Sequence, residues 1–317
     1  MGVEGDVVVI GGPTASGKSG LAVDIAEAFG GTVINADSMQ LYRELDVLTA
    51  RPGPEDLARA PHRLYGVLPG SERGSAARWR TMALAEIVAA RGEGRLPIVV
   101  GGTGLYLRAL MEGLCDVPSV PEEVRRLARE RHAALGGEAF RAELVARDPA
   151  SERLNPGDTT RLVRAWEVLE ATGRPLTDWQ SAAPDGPPPG LRFRVYVIDP
   201  PRADLYAMCD KRFTVMLERS ALAEVRDLDA LGLDPELPVM KALGVPELRA
   251  HLHGELTLEQ ATVKAQQSTR NYAKRQVTWF RRQLLDKPAH ACHAVSSLYS
   301  AALRDAILRP LEQSLRD

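Results

Sequence analysis

Val7-Val8-Val9-Ile10-Gly11-Gly12-Pro13-Thr14-Ala15-Ser16-Gly17-Lys18-Ser19 joins a β-branched run to a complete G-x-x-x-x-G-K-[ST] loop, and a helical pattern follows over residues 18–29. Strand, glycine turn and helix in that order make a phosphate cradle. The glycines let backbone N–H groups turn inward onto an anion, the helix aims its positive dipole end at the same point, Lys18 adds a full charge, and the Ser19 hydroxyl can hold Mg²⁺. Gly12, Pro13, Thr14, Ala15, Ser16, Gly17, Lys18 and Ser19 are therefore expected to bind a diphosphate or nucleotide, with Mg²⁺ as cofactor at Ser19. Lysine is scarce here, six against 34 arginines, so a lysine at the one position that demands it carries weight.

Outward from the loop, β-branched runs at 6–10, 32–35 and 97–100 alternate with helical patterns at 18–29 and 75–91. This predicts an α/β fold, a P-loop NTPase-like parallel sheet flanked by helices. From 121 to about 177 the pattern is helical only, rich in Arg, Glu, Ala and Leu, which predicts an all-helical insertion domain. A Pro/Gly-rich connector at 183–190 then leads to a strand at 193–199 that returns to the sheet. The expected organisation is a first part of the core over 1–120, the insertion over 121–182, and the core continued with C-terminal helices over 183–317. The longest of these helices begins at Thr257, where Thr257 and Gln260 form a capping box, and runs to about Leu285.

The chain has 317 residues, 44% of them hydrophobic, and a net charge of −2, so a core is available and a globally basic, nucleic-acid-binding balance is not. No apolar stretch approaches the ~18–20 residues of a membrane helix, and the N-terminus lacks a secretory pattern, so no membrane partner and a cytoplasmic location are expected. The three cysteines, Cys115, Cys209 and Cys292, are far apart and fit a reducing compartment. His290, Cys292 and His293 lack zinc-finger spacing and read as a solvated loop rather than a metal set. Monomer is the default expectation.

Ligands in open parallel sheets bind beyond the carboxyl ends of the strands. Three groups lie there. Asp37-Ser38-Met39-Gln40 puts a carboxylate near the loop, and Asp37 reads equally as a helix N-cap or as a catalytic group. Gly101-Gly102-Thr103-Gly104 is a turn with one hydroxyl, for which capping is the plainer reading. In Asp210-Lys211-Arg212-Phe213, Arg212 either reaches an anion or forms a surface ion pair. The long helix carries the other signal. Leu258, Ala261, Ala265, Tyr272 and Trp279 share a stripe that reads as packed, while Lys264, Arg275 and Arg282 lie on one flank and Arg270, Lys274 and Arg281 on another, with no Asp or Glu between Lys264 and Arg282. That absence favours a polyanion contact over a solvated face laced with ion pairs. Arg125, Arg126, Arg129 and Arg131 are diluted by Glu122, Glu123 and Glu130, and Arg161 and Arg164 share a face with Glu167.

The loop alone leaves open a small-molecule kinase, a nucleotide-dependent switch, and a transferase that displaces pyrophosphate. An ATPase or switch usually carries an acid after a hydrophobic strand, and here residues 98–100 run into Gly-Gly-Thr-Gly instead, which weighs against an ATPase or switch without excluding a kinase that uses Asp37. Taken together, the loop, Asp37-Ser38-Met39-Gln40 with Tyr42, Thr49-Ala50-Arg51-Pro52, Pro61-His62-Arg63-Leu64, Val100-Gly101-Gly102-Thr103-Gly104-Leu105-Tyr106, Leu154-Asn155-Pro156 and Ala273-Lys274-Arg275-Gln276-Val277-Thr278-Trp279 closely resemble the tRNA dimethylallyltransferase family, in order, from near residue 7 to about residue 282.

The resemblance implies transfer of a dimethylallyl group from dimethylallyl diphosphate to N6 of the adenosine 3′-adjacent to the anticodon, in tRNAs reading codons that begin with U. Its partners are then the donor and a tRNA anticodon stem-loop. Asp37 becomes the base for the N6 proton, Lys18 and Arg212 neutralise the leaving diphosphate, and Thr103 lies in the reaction channel. The resemblance also assigns tRNA contact to Asp37, Ser38, Met39, Gln40, Thr103, Arg125, Thr160, Arg161, Leu162, Val163, Arg164, Met240, Lys241, Ala242, Leu243, Gly244 and Val245, and the basic helix adds Lys274, Arg275 and Arg282. Gly244-Val245 departs from the Gly-Tyr pair of many bacterial members, and no counterpart of the eukaryotic zinc module is seen. A related family that prenylates free AMP shares the loop and the aspartate, but a mononucleotide would not need the basic helix or the arginine-rich insertion.

Overall fold

The computed structural model describes residues 5–181, 185–286 and 291–316. Strands β1 (Gly5–Gly11), β2 (Gly31–Asn35), β3 (His62–Arg63), β4 (Leu96–Gly101), β5 (Leu191–Ile198) and β6 (Cys292–Val295) form one sheet in the order β3-β2-β4-β1-β5-β6, every neighbouring pair parallel. The chain divides into two units, Met1–Met111 with Pro188–Asp317, and Glu112–Pro187.

In the first unit, the near-continuous apolar runs of the central strands follow from burial on both faces. Val7 and Val9 of β1, Val99 of β4 and Phe193, Val195 and Val197 of β5 point to one face. There they meet α3 (Ala76–Gly92), α4 (Gly104–Glu112), α8 (Arg202–Arg219), α9 (Ala221–Ala230), α10 (Val245–Leu252) and α11 (Leu258–Phe280). Val8, Ile10, Ile98, Val100, Tyr196 and Ile198 point to the other, against α1 (Lys18–Phe29) and α12 (Arg304–Arg316). The short α2 (Pro54–Arg59) lies beside α1, with Arg59 paired to Asp24 at 2.6 Å.

In the second unit, α5 (Glu122–Arg147), α6 (Thr159–Thr172) and α7 (Leu176–Ser181) carry no strand among the described residues. Helix α5 is broken at Gly136, whose φ of 73° and ψ of 167° leave the helical region, and Asp158 caps α6 by accepting from the Arg161 N–H at 3.2 Å. Ala128, Phe140, Leu144, Leu162 and Trp166 form this unit's own core.

Three expectations change. The stretch read as a solvated loop at Cys292 and His293 is the edge strand β6, paired with Val195 and Tyr196, and the His293 ring stacks on Tyr196 with centroids 5.1 Å apart. His290 and residues 182–184 of the connector lie outside the described residues, among which no group of three or more His, Cys, Asp or Glu could hold a metal. The long helix keeps its capping box, Thr257 with Gln260, but ends as α-helix at Phe280 and closes in one wider π-type turn over Arg281–Leu285. Its packed stripe is Ala261, Ala265, Thr269, Ala273, Gln276 and Phe280, whereas Leu258 is 40% exposed.

Candidate active site

The phosphate loop leaves β1 at Gly11 and enters α1 at Lys18. Ala15 at φ 63° and Gly17 at φ 91° reverse the chain, the left-handed conformation that turns successive amides to one side. The Ser16 hydroxyl is buried with no partner. Lys18 is half-buried and its Nζ donates only to the Pro13 carbonyl, at 3.3 Å. Burial pushes its pKa down to about 8, Asp37 pulls it up, and Arg212 presses it down again. Arg212 comes from α8, donates to the Thr14 hydroxyl, and is likewise held below its ordinary range by burial. Among the described residues no carboxylate lies within ion-pairing distance of Lys18 or Arg212, so no surface ion pair of the kind considered for Arg212 is seen there. Two desolvated cations beside a turn of amides form a site whose missing charge is an anion. Ser19, second in α1, has an exposed hydroxyl. A single exposed hydroxyl is no protein cage, and it fits Mg²⁺, which keeps waters and takes oxygens from a phosphate.

Across from the loop, β2 delivers Asp37. Its Oδ1 accepts from the Met39 N–H two residues on, at 3.0 Å, an Asx turn that leads into the single turn Met39–Leu41, whose N-cap is Ser38 with no side-chain cap bond. The backbone of Asp37 is clamped by the buried Asn35 amide: Oδ1 accepts from the Asp37 N–H at 2.7 Å, and Nδ2 donates to the carbonyls of Asp37 and Leu64, both at 3.0 Å. The Asn35 carbonyl accepts from the Trp79 indole at 2.7 Å, and Trp79 stacks on Tyr106 at 4.7 Å. Ser38 donates its N–H to the Thr103 hydroxyl at 2.9 Å, and that hydroxyl also meets the Ser38 Oγ at 3.2 Å and the Tyr272 side chain. Thr103 therefore organises the Asp37–Ser38 turn. The glycines around it are forced by close approach: a Cβ on Gly102 would lie 2.2 Å from the Gln276 amide, and one on Gly104 would lie 2.2 Å from the Trp279 ring. Gln276, 5% exposed, accepts from the Thr14 N–H and donates to the Gly102 carbonyl, both at 2.8 Å.

A cavity of about 280 Å³ opens between these groups. Thr14, Asp37, Ser38, Arg212, Tyr272 and Arg275 line its polar part, and Met39, Leu48, Phe213, Met216 and Leu243 its apolar part. The site thus brings together a phosphate loop, two cations, one carboxylate whose Oδ1 is used in an Asx turn, and a small apolar chamber. That combination can hold a diphosphate with a short hydrocarbon group and take a proton from a nucleophile.

Several residues read from the sequence as macromolecular contacts cannot offer their side chains to one. Leu162 and Val163 are packed in the second unit's core, and Met240, Ala242, Gly244 and Val245 are buried in the first. Of the latter segment Lys241, Ala242 and Leu243 line the cavity, and Lys241 is paired with Glu236 at 2.7 Å. The Gln40 amide is taken by the carbonyls of Thr49 and Ala50, at 2.9 and 3.0 Å. Arg164 is paired with Glu167 and Arg161 with Asp158, both at 3.3 Å, and Arg125 has Glu122 at 4.0 Å. Thr160 and Arg161 are exposed, as are Lys274, Arg275 and Arg282. Asn35 and Gln276 escaped the reading of the sequence. Asn35 looked like a strand end and Gln276 like one more polar residue between cations.

Residues 40–283 match the family model for IPP transferase. Over 279 residues the chain is 66% identical to a tRNA dimethylallyltransferase of Rhodospirillum centenum, covering 88% of this chain and 89% of that one. It is 57% identical over 279 residues to one of Paramagnetospirillum magneticum, covering 88% of each. Among solved structures, a full-length tRNA isopentenylpyrophosphate transferase from Bacillus halodurans matches with a TM-score of 0.67 at 29% identity, over 98% of both chains. A eukaryotic dimethylallyltransferase acting on tRNA matches with a TM-score of 0.80 at 26% identity, over 98% of this chain and 80% of that one.

Proposed function

The chain belongs to the IPP transferase family, and from that premise we propose that it moves a dimethylallyl group from dimethylallyl diphosphate to N6 of the adenosine 3′-adjacent to the anticodon, in tRNAs reading codons that begin with U. The coarser statement holds for the chain itself: it is a prenyltransferase that transfers a dimethylallyl group to tRNA. The observation that carries the finer reading is the cavity, with cations and loop at one side, the Asp37 carboxylate at its rim, and an apolar chamber that suits a short branched hydrocarbon.

The exocyclic amine of adenine is conjugated and weakly nucleophilic. As its lone pair forms a bond to the allylic carbon, the carbon–oxygen bond of the donor breaks and its electron pair leaves with the diphosphate. Lys18, Arg212 and the loop amides stabilise that growing negative charge. Asp37 takes the N6 proton, with Oδ1 holding the Met39 N–H and Oδ2 facing the work. The Ser19 hydroxyl would hold Mg²⁺, which when bound would add positive charge toward the leaving group. Thr103 fixes the turn that carries the base. The target base must leave its stack at a cost of a few kcal/mol, which phosphate contacts to Lys274, Arg275 and Arg282 help to offset. Three free cysteines suit the cytoplasm. No helix among the described residues is long and apolar enough to cross a membrane.

The test is incubation with labelled dimethylallyl diphosphate and Mg²⁺, offering an unmodified anticodon stem-loop with consecutive adenosines, free AMP, and ATP in parallel. Label in the stem-loop at N6 supports the reading. Label in AMP alone, or ATP turnover without transfer, overturns it.

A further inference from the structure

We propose that Gln276 is a positioning residue that locks the donor loop to the acceptor turn, and so sets the register between the leaving diphosphate and the base. The proposal rests on the reading that the loop holds the donor's diphosphate.

A glutamine in the buried stripe of α11 is costly. Its neighbours there are small or aromatic, an unbonded amide in such a place loses its water hydrogen bonds without return, and its rotamers must be frozen. An apolar residue would fill the same space with less penalty. Both ends of the amide are instead bonded at 2.8 Å, and to backbone groups of two different loops: the Thr14 N–H of the phosphate loop and the Gly102 carbonyl after β4. The absence of a side chain at Gly102 is what admits the amide, since a Cβ there would come within 2.2 Å of Nε2.

The two bonded positions are each one step from the chemistry. Thr14 receives Arg212 on its hydroxyl while Gln276 holds its amide. Gly102 precedes Thr103, whose hydroxyl receives the Ser38 N–H beside Asp37. A continuous path thus runs from Arg212 through Thr14, Gln276, Gly102, Thr103 and Ser38 to Asp37. Gln276 is the side-chain link of this path between the donor half and the acceptor half, beside the sheet pairing of Gly11 with Gly101. Bond formation to the allylic carbon tolerates errors of only about 0.5 Å between reacting groups, so the length of this link bears on rate as well as on donor affinity.

Gln276→Met keeps length and packing and removes both hydrogen bonds. The expected result is a rise of about tenfold in the KM for dimethylallyl diphosphate and in the Kd for inorganic diphosphate, the worth of one net hydrogen bond, with kcat lowered as well. The Kd for the stem-loop should stay unchanged, because Lys274 and Arg275 face outward. Gly102→Ala attacks the same contact from the other side and should reproduce the pattern, and the double variant should be no worse than either single change. A merely structural residue would lower Tm and the active fraction while leaving both donor constants at the wild-type value; that outcome, or additive losses in the double variant, overturns the proposal. A wild-type chain that binds diphosphate with this dependence on Gln276 but transfers no label removes the proposed function and leaves this inference standing. One that binds no diphosphate removes both.

Discussion

Asp37 holds two duties that the sequence could only set against each other. As a turn residue it needs one oxygen, and Oδ1 accepts from the Met39 N–H in an Asx turn, while the N-cap itself is Ser38 with no side-chain bond. As a base it needs the other oxygen, and Asp37 lines the cavity. Substitutions can separate the two. Asp37→Asn keeps an oxygen for the turn and loses the base, so kcat should fall about 10²–10⁴-fold with Tm and stem-loop affinity retained. Asp37→Ala should lose the same factor and a further ~1 kcal/mol of stability, the net worth of one hydrogen bond. Turnover by Asp37→Asn at the wild-type rate would take Asp37 out of the proton transfer. Residue identity pointed to Lys18 through its loop motif, to Asp37 as a charge just past a strand, and to Arg212 as a charge on the helix after one. It hid Asn35 and Gln276 because an amide announces nothing until its partners are known, and those of Gln276 stand 174 and 262 positions away. The one available signal was phase: Gln276 continues the buried series Ala265, Thr269, Ala273 and Phe280, while its neighbours Lys274 and Arg275 do not.

Helix α11 shows where pattern reading overreaches. Its lack of acids is real, yet two of its six cations are neutralised from other elements: Arg270 by Asp210 of α8 at 2.5 Å, and Arg281 by Asp199 after β5 at 2.9 Å. Spacing rules within a helix see only that helix. Lys264, Lys274, Arg275 and Arg282 remain exposed with no acidic partner among the described residues. Removing Arg275 or Arg282 should therefore weaken stem-loop binding and flatten its dependence on salt by about one unit of slope per lost phosphate contact. Removing Arg270 or Arg281 should leave the slope alone and show up in thermal stability. Equal slopes across all four variants would return the helix to ordinary surface. The same limit of local reading explains the missed strands: β3 has two residues and β6 four, too short for alternation to register, and only pairing with β2 and β5 makes them strands.

At the scale of the whole molecule, the alternation of β and α patterns disclosed a parallel sheet but not its order, because order depends on which distant strands meet. The change from mixed to purely helical pattern disclosed a separate piece of chain, whose ends the structure brings together. Asp185 donates its N–H to the Leu114 carbonyl at 3.2 Å, and the Leu114 N–H returns to Asp185 Oδ1 at 2.9 Å, so the chain enters and leaves this unit at one point. Most of its arginines are spent internally, Arg126 on Glu123 and Glu130, Arg129 on Glu122, Arg131 on Glu143 and Arg147 on Glu170, while Arg153 is exposed with no acidic partner among the described residues. A surface so neutralised releases few counterions, whatever its shape contributes. Replacing residues 112–187 by a short glycine linker should therefore leave the other unit unfolding cooperatively, with its Kd for inorganic diphosphate unchanged. Stem-loop affinity should drop while the salt slope stays close to that of the intact chain, since α11 carries the phosphate contacts. A large loss of slope in the excised chain would mean that the internal ion pairs open on RNA, and that the second unit bears the charge here assigned to α11.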